Sequence, residues 1–250
     1  MDQNKWWDVL KVILVIGVLA WFGFNALQPQ TTVKPVIYLY PEQEMTVDVD
    51  IVYRGDLTVL YPAGEVRGDV MISGTEAAWK EELSNSAAGN KAGDKAIDKR
   101  DVVSWQVTAR PDGTLIDHAD GREYSYLFWE GEPDSVQFDF SQGYCVAGED
   151  TAAFLQEILP QIGLTPREYN EFIVYWLPQM QDNSYNIISF QTDIYTDLAW
   201  LKVDPQPDNV LRVFMAVKPS SVYVEMEPQK FEAFEREGFT VVEWGGTLVR

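Results

Sequence analysis

The sequence predicts an α+β fold: an N-terminal transmembrane helix followed by a mainly antiparallel β-sheet domain with two or three helices. Three observations lead there. Val9–Leu27 is a 19-residue apolar run broken only by Lys11 and Asn25. Between 33 and 145 apolar residues alternate with polar ones and turn signals recur, the mark of half-buried strands. From Asp150 the apolar spacing changes to the helical one.

As a helix, the N-terminal run would reach about 28 Å, close to a bilayer's hydrocarbon thickness. Trp7, Val12, Ile13, Leu14, Val15, Ile16, Val18, Leu19, Trp21, Phe22 and Phe24 would meet lipid or its interfaces. A cleaved signal peptide is disfavoured because Phe24 would occupy the −3 position of a cut after Ala26. Lys5 and Lys11 precede the strictly apolar centre of the run, Val12–Phe24, so the expected address is the cell membrane, single-pass, with the N-terminus cytoplasmic and the C-terminal domain outside. The chain then divides into 1–30, the anchor, and 31–250, an extracytoplasmic domain that is β-rich over 33–145 and α/β over 146–250.

The elements follow in order. Val36–Tyr40 reads as a strand. Thr46–Tyr53 places Val47, Val49, Ile51 and Tyr53 on one face and Asp48 and Asp50 on the other. Leu57–Tyr61 and Val66–Ile72 extend these into an expected antiparallel meander. A short helical run from Thr75 passes into a small, polar, charged tail, so a flexible insertion is expected over about 84–100. Strands resume at Val102–Ala109, Thr114–Ile116, Tyr124–Trp129 and Ser135–Phe140, separated by turns at Pro111-Asp112-Gly113 and Asp120-Gly121. Leu155, Ile158, Leu159 and Ile162 mark one helix, limited by Gly163. Thr165-Pro166-Arg167-Glu168 is a capping-box start for a second, ending at Pro178. Tyr185–Gln191, Leu198–Val203, Val210–Val217 and Thr240–Trp244 read as strands, and Gln229–Glu237 as a short helix.

Composition limits the chemistry. The chain carries 19 basic and 39 acidic residues, a net charge of −20. The first 30 residues hold two of each sign (Lys5, Lys11, Asp2, Asp8), so the whole excess lies in 31–250. Such a body repels polyanions, and nucleic acid is excluded as an expected partner. Cys145 is the only cysteine, which rules out an internal disulfide, and His118 is the only histidine.

Candidate sites follow from what remains. A nucleophilic Cys145–His118 pair has both residue types but no nucleophile-elbow motif around it, and a small structural cysteine with a solvated turn histidine is the expectation. No cofactor is expected; calcium is the one metal that suits the composition, with Asp112, Asp117 and Asp120 as candidate ligands, although aspartate is also an ordinary turn residue. The catalytic candidates are Glu130, at the end of the aromatic strand, and Glu171, in the second helix; two such carboxylates facing each other would suit glycoside hydrolysis. Helical spacing puts Glu171 opposite Tyr169, Phe172, Ile173 and Trp176, on a solvated face.

The blocks KPVIYLYP (34–41), PDGTL (111–115), YLFWEG (126–131), EFIVYWLP (171–178), YNIISF (185–190) and RVFM (212–215), in that order, resemble an uncharacterised family of bacterial exported or membrane-anchored proteins. The resemblance implies a cell-envelope protein and brings no activity or catalytic residue. The expectation is therefore a membrane-anchored cell-envelope protein that is a non-catalytic binding or structural module, with the lipid bilayer, a cell-wall glycan or an envelope protein as partners. The alternative is a glycan-active hydrolase using Glu130 with a second carboxylate.

Overall fold

Sheet alternation decides the architecture, because one strand feeds two different cores. The computed structural model describes residues 32–73 and 97–249. In β1 (Val36–Tyr40), Ile37 and Leu39 face one way while Val36 and Tyr38 face the other, and all four are buried. A strand buried on both faces lies in the middle layer of a three-layer fold.

That middle layer is a seven-stranded sheet. Its order runs from β3 (Gly55–Tyr61) through β8 (Leu127–Pro133), β1, β13 (Thr240–Leu248), β12 (Asn209–Ser220) and β10 (Tyr185–Phe190) to β9 (Tyr144–Ala147). Pairing is antiparallel except for β12 with β13, which are parallel. The second sheet orders β11 (Ala199–Asp204), β2 (Met45–Tyr53), β5 (Ile97–Ala109), β6 (Leu115–Asp117) and β7 (Glu123–Tyr124), with β4 (Glu65–Ser73) also on β5. Val47, Val49 and Ile51 of β2 pack with Leu39, Trp129 and Phe214 between the sheets. Asp48 and Asp50 of β2 are less buried and face outward, as the alternation requires.

Three helices occur among the described residues. α1 (Thr151–Ile162) and α2 (Pro166–Trp176) cover the free face of the middle sheet. Leu155, Leu159, Phe172 and Trp176 meet Tyr38, Val213 and Trp244 there. Gly163 ends α1 at φ 118°, the left-handed conformation favoured by glycine at this position. α2 starts with the capping box, Thr165 N–H donating to Glu168 Oε2 at 2.8 Å. α3 (Thr192–Leu198) is a two-turn connection into β11.

Between the sheets lies a buried ion pair. Arg212 Nε donates to Glu243 Oε2 at 2.5 Å, and Tyr195 OH donates to Glu243 Oε1 at 2.7 Å. Arg212 also donates to the Ala199 carbonyl at 2.9 Å and stacks 4.7 Å from the Tyr195 ring centre. The pair thus fastens α3 and the start of β11 to β12 and β13.

The fold departs from the sequence expectations at several places. The transmembrane helix is corrected: no helix among the described residues is long and apolar enough to cross a membrane. The longest, α1, has 12 residues, about 18 Å against a hydrocarbon core of about 30 Å. Val9–Leu27, with the anchor residues Trp7 to Phe24, lies outside the described residues. The fold is accordingly assigned without that helix, and the single-pass membrane address built on it is withdrawn. The meander is also wrong, because β2 and β3 are consecutive yet belong to different sheets. Of the expected insertion over about 84–100, residues 84–96 lie outside the described residues, whereas Ile97–Arg100 form the start of β5. Ser135–Phe140 is irregular, and Tyr144–Ala147 supplies the strand instead.

Gln229–Glu237 has no regular secondary structure and is not helix, because tertiary contacts claim its side chains. The Gln229 amide bonds to the backbone N–H and carbonyl of Phe190 at 2.7 and 2.9 Å. Phe231 and Phe234 pack on the helix-side core, and Arg236 reaches buried Glu168 at 2.6 Å.

Candidate functional site

The edge of the middle sheet nearest α2 carries a groove of about 590 Å³. Its floor comes from the helix-facing residues of β1, β8 and β13, and one wall from the exposed flank of α2. Alternation explains the floor. Val36 and Tyr38 share a face of β1, and Tyr126 and Phe128 continue the same parity toward Glu130 in β8. Glu171 and Tyr175 lie one helical turn apart on α2, so they border the groove together. β3 adds Val59 and Tyr61, both exposed although apolar or aromatic, at 43% and 59%.

Five aromatic side chains therefore meet in one depression: Tyr61, Tyr126, Phe128, Tyr175 and Trp244. Two charged side chains join them, Lys34 and Glu171. Lys34, just before β1, forms an ion pair with Glu130. Glu171 Oε2 accepts the Tyr38 hydroxyl at 2.5 Å, and the Tyr38 oxygen accepts Trp244 Nε1 at 3.2 Å. The phenols of Tyr38, Tyr126 and Tyr175 stay protonated. Burial first, then the neighbouring Glu171 carboxylate, pushes Tyr38 and Tyr126 above the ordinary tyrosine range. Burial raises Tyr175 too, against the opposing pull of the Lys34 ammonium. The groove thus offers aromatic faces, hydroxyl donors, one carboxylate acceptor and one ammonium.

Of the two carboxylates singled out in the sequence, Glu171 lines this groove and Glu130 is joined to it through the ion pair with Lys34. The expected solvated position of Glu171 is corrected, because the buried stripe of α2 includes Glu168. Glu171, three residues on from Glu168 and one before Phe172, falls on the flank of that stripe, within reach of Tyr38. Sequence reasoning missed Lys34, Tyr38, Tyr126 and Tyr175, although the shared parity of Tyr126, Phe128 and Glu130 was visible in YLFWEG.

The other candidates disperse. Asp112, Asp117 and Asp120 each cap their own turn, accepting the N–H of Thr114, Ala119 and Arg122 at 2.9, 3.2 and 2.9 Å. Asp120 also accepts the Tyr124 hydroxyl at 2.7 Å. No cluster of three or more His, Cys, Asp or Glu residues able to hold a metal ion occurs among the described residues. His118 is held on the outer face of the second sheet, with Gln106 at 3.0 Å from Nδ1 and Thr108 at 2.8 Å from Nε2. Cys145 sits on β9 at the far edge of the other sheet, its sulfur accepting the Val224 N–H. The two do not meet, so they form no catalytic pair.

A second cavity, about 540 Å³, lies beside His118 on that outer face and includes Asp48, Asp50, Lys202 and Asp204. Two of its carboxylates are engaged across strands: Asp50 accepts Ser104 Oγ at 2.5 Å and Asp48 accepts Gln106 Nε2 at 2.8 Å. It has charge but no exposed aromatic face.

No family model matches the chain, and no solved structure matches it. Over 133 residues, 53% of its length, the chain is 30% identical to the "Uncharacterized protein in bglA 3'region" of Butyrivibrio fibrisolvens, covering 100% of that protein. Identity at this level over the relative's whole length is shared descent, and the chain belongs to the family of that Butyrivibrio fibrisolvens protein.

Proposed function

We propose that the protein is a non-catalytic binding module and that its ligand is a carbohydrate held in the groove between α2 and the edge of the middle sheet. The observation that carries this reading is the gathering of five aromatic side chains in a depression that also holds a fixed carboxylate and an ion pair. Apolar walls with a few oriented polar groups are the usual composition of a small-ligand site. A sugar ring matches that mixture, with C–H faces for the tyrosines and hydroxyls for Glu171, Lys34 and the phenols. Exposed Val59 and Tyr61 are otherwise unexplained, since burying them would be favourable.

Glycoside hydrolysis is the competing use of the same residues, because Glu171 lines the groove and Glu130 pairs with Lys34 of its lining. Hydrolysis needs one carboxyl that keeps a proton for the leaving group. Glu130 instead sits on the Lys34 ammonium, and Glu171 is already an acceptor for Tyr38. Binding is therefore the better use of the geometry.

The test titrates the purified full-length chain with a panel of soluble oligosaccharides by calorimetry, while reducing ends are followed in the same mixtures. Binding without release, weakened about tenfold or more in Tyr126→Ala and Tyr175→Ala, is the expected result. Release of reducing ends that disappears in Glu130→Gln would overturn the reading in favour of a hydrolase. Affinity unchanged in both tyrosine variants would place the ligand elsewhere.

A further inference from the structure

The two charges in the groove are not equivalent. Lys34 is neutralised by Glu130. Among the described residues Glu171 pairs with Arg167 at 4.0 Å, a partly exposed i,i+4 contact of the kind that contributes little. Its other oxygen is held from behind by two donors in series, Tyr38 and Trp244, whose side chains are buried. A carboxylate fixed by buried donors and open on the other side is preorganised to receive a positive charge, because little rotamer freedom remains to be lost on binding.

The surroundings agree. Tyr126 lies close enough to Glu171 for the carboxylate to disfavour its phenolate, and Tyr175 follows Glu171 by one helical turn on the same wall. Aromatic faces attract cations as well as apolar rings. The net charge of −20 steers cationic ligands toward the molecule and repels acidic ones.

We propose that the groove selects a carbohydrate bearing a free, protonated amine, an oligomer of glucosamine, with its ammonium on Glu171 and its ring faces on Tyr126 and Tyr175. The inference rests on the carbohydrate reading of the groove and names the class of sugar within it. N-Acetylation removes the charge and adds bulk at the same nitrogen, so it is the discriminating chemical change.

The experiment titrates the full-length chain with oligomers of glucosamine and of N-acetylglucosamine of equal length, at a pH that keeps the sugar amine protonated. The glucosamine oligomer should bind about five- to tenfold more tightly, as one charge-assisted contact predicts. Glu171→Gln should erase that preference, so that the two oligomers bind the variant with equal affinity. Tyr38→Phe, which leaves the carboxylate but removes its anchor, should reduce the preference without erasing it. Equal affinities in the unmodified chain, or a preference that survives Glu171→Gln, would overturn the inference and leave the carbohydrate reading standing. Binding of neither oligomer, nor of any neutral oligosaccharide, would overturn both.

Discussion

Replacing Glu243 by glutamine should be among the most damaging isosteric changes in the domain. The Glu243 side chain is fully buried and that of Arg212 is 9% exposed. Glutamine keeps an acceptor for the Tyr195 hydroxyl but removes the charge that Arg212 Nε meets at 2.5 Å. The guanidinium is then left with the Ala199 carbonyl and the Tyr195 ring as its partners between the sheets. Two unit charges about 4 Å apart at an effective dielectric near 20 interact by about 4 kcal/mol. Breaking buried pairs in other proteins costs about 3–5 kcal/mol. The two routes agree, and the expected loss is about 3–5 kcal/mol, a fall in Tm of roughly 6–20 °C for a domain of this size. Urea denaturation of the full chain measures it, with the midpoint moving and the slope unchanged. The double variant Arg212→Met/Glu243→Leu should recover most of the loss, because an apolar pair of similar volume leaves no charge stranded. A loss below about 1 kcal/mol in Glu243→Gln would refute the claim that Arg212 depends on this carboxylate.

Two further predictions concern packing and pH. A Cβ on Gly246 would lie 2.6 Å from the Met215 carbonyl oxygen and 2.8 Å from the Trp176 ring, so Gly246→Ala should cost about 1–3 kcal/mol in denaturant melts; an unchanged midpoint would show that Trp176 moves freely. Backbone N–H groups of Thr114 and Ser141, and the Tyr124 hydroxyl, hold Asp112, Asp139 and Asp120 respectively below the usual carboxylate range. Their stabilisation is therefore present above the unfolded value of about 3.9 and lost as pH falls through the folded values. Asp→Asn at all three positions should flatten the acid limb of a stability-against-pH curve, and superimposable acid limbs would contradict the assignment.

The parts of the fold written in local sequence were legible, and the parts written in distant contacts were not. The Thr165–Glu168 capping box and the 155/158/159/162 spacing announce α1 and α2, and the alternation of β2 shows which side is buried. The division of β2 and β3 between two sheets depends on partners far along the chain, which no local pattern encodes. α3 is too short, at seven residues, to display a period. Residues 229–237 have helix-forming composition, yet Gln229, Phe231 and Arg236 are recruited by Phe190, the helix-side core and Glu168. The site divides the same way. Glu130 and Glu171 stood out as charges beside aromatic runs, whereas the Tyr38–Glu171 bond spans 133 positions and could be found only in three dimensions.

The central claim is that the groove beside α2 holds the ligand, and amide hydrogen exchange with and without a saturating oligosaccharide tests it most directly. The account predicts slowed exchange in Pro166–Trp176 and in the Gly55–Tyr61 and Leu127–Pro133 strands, with Met45–Tyr53 and Ala199–Asp204 on the other sheet unchanged. Protection confined to the second sheet, around Asp48 and His118, would contradict it and move the binding site to the opposite side of the molecule.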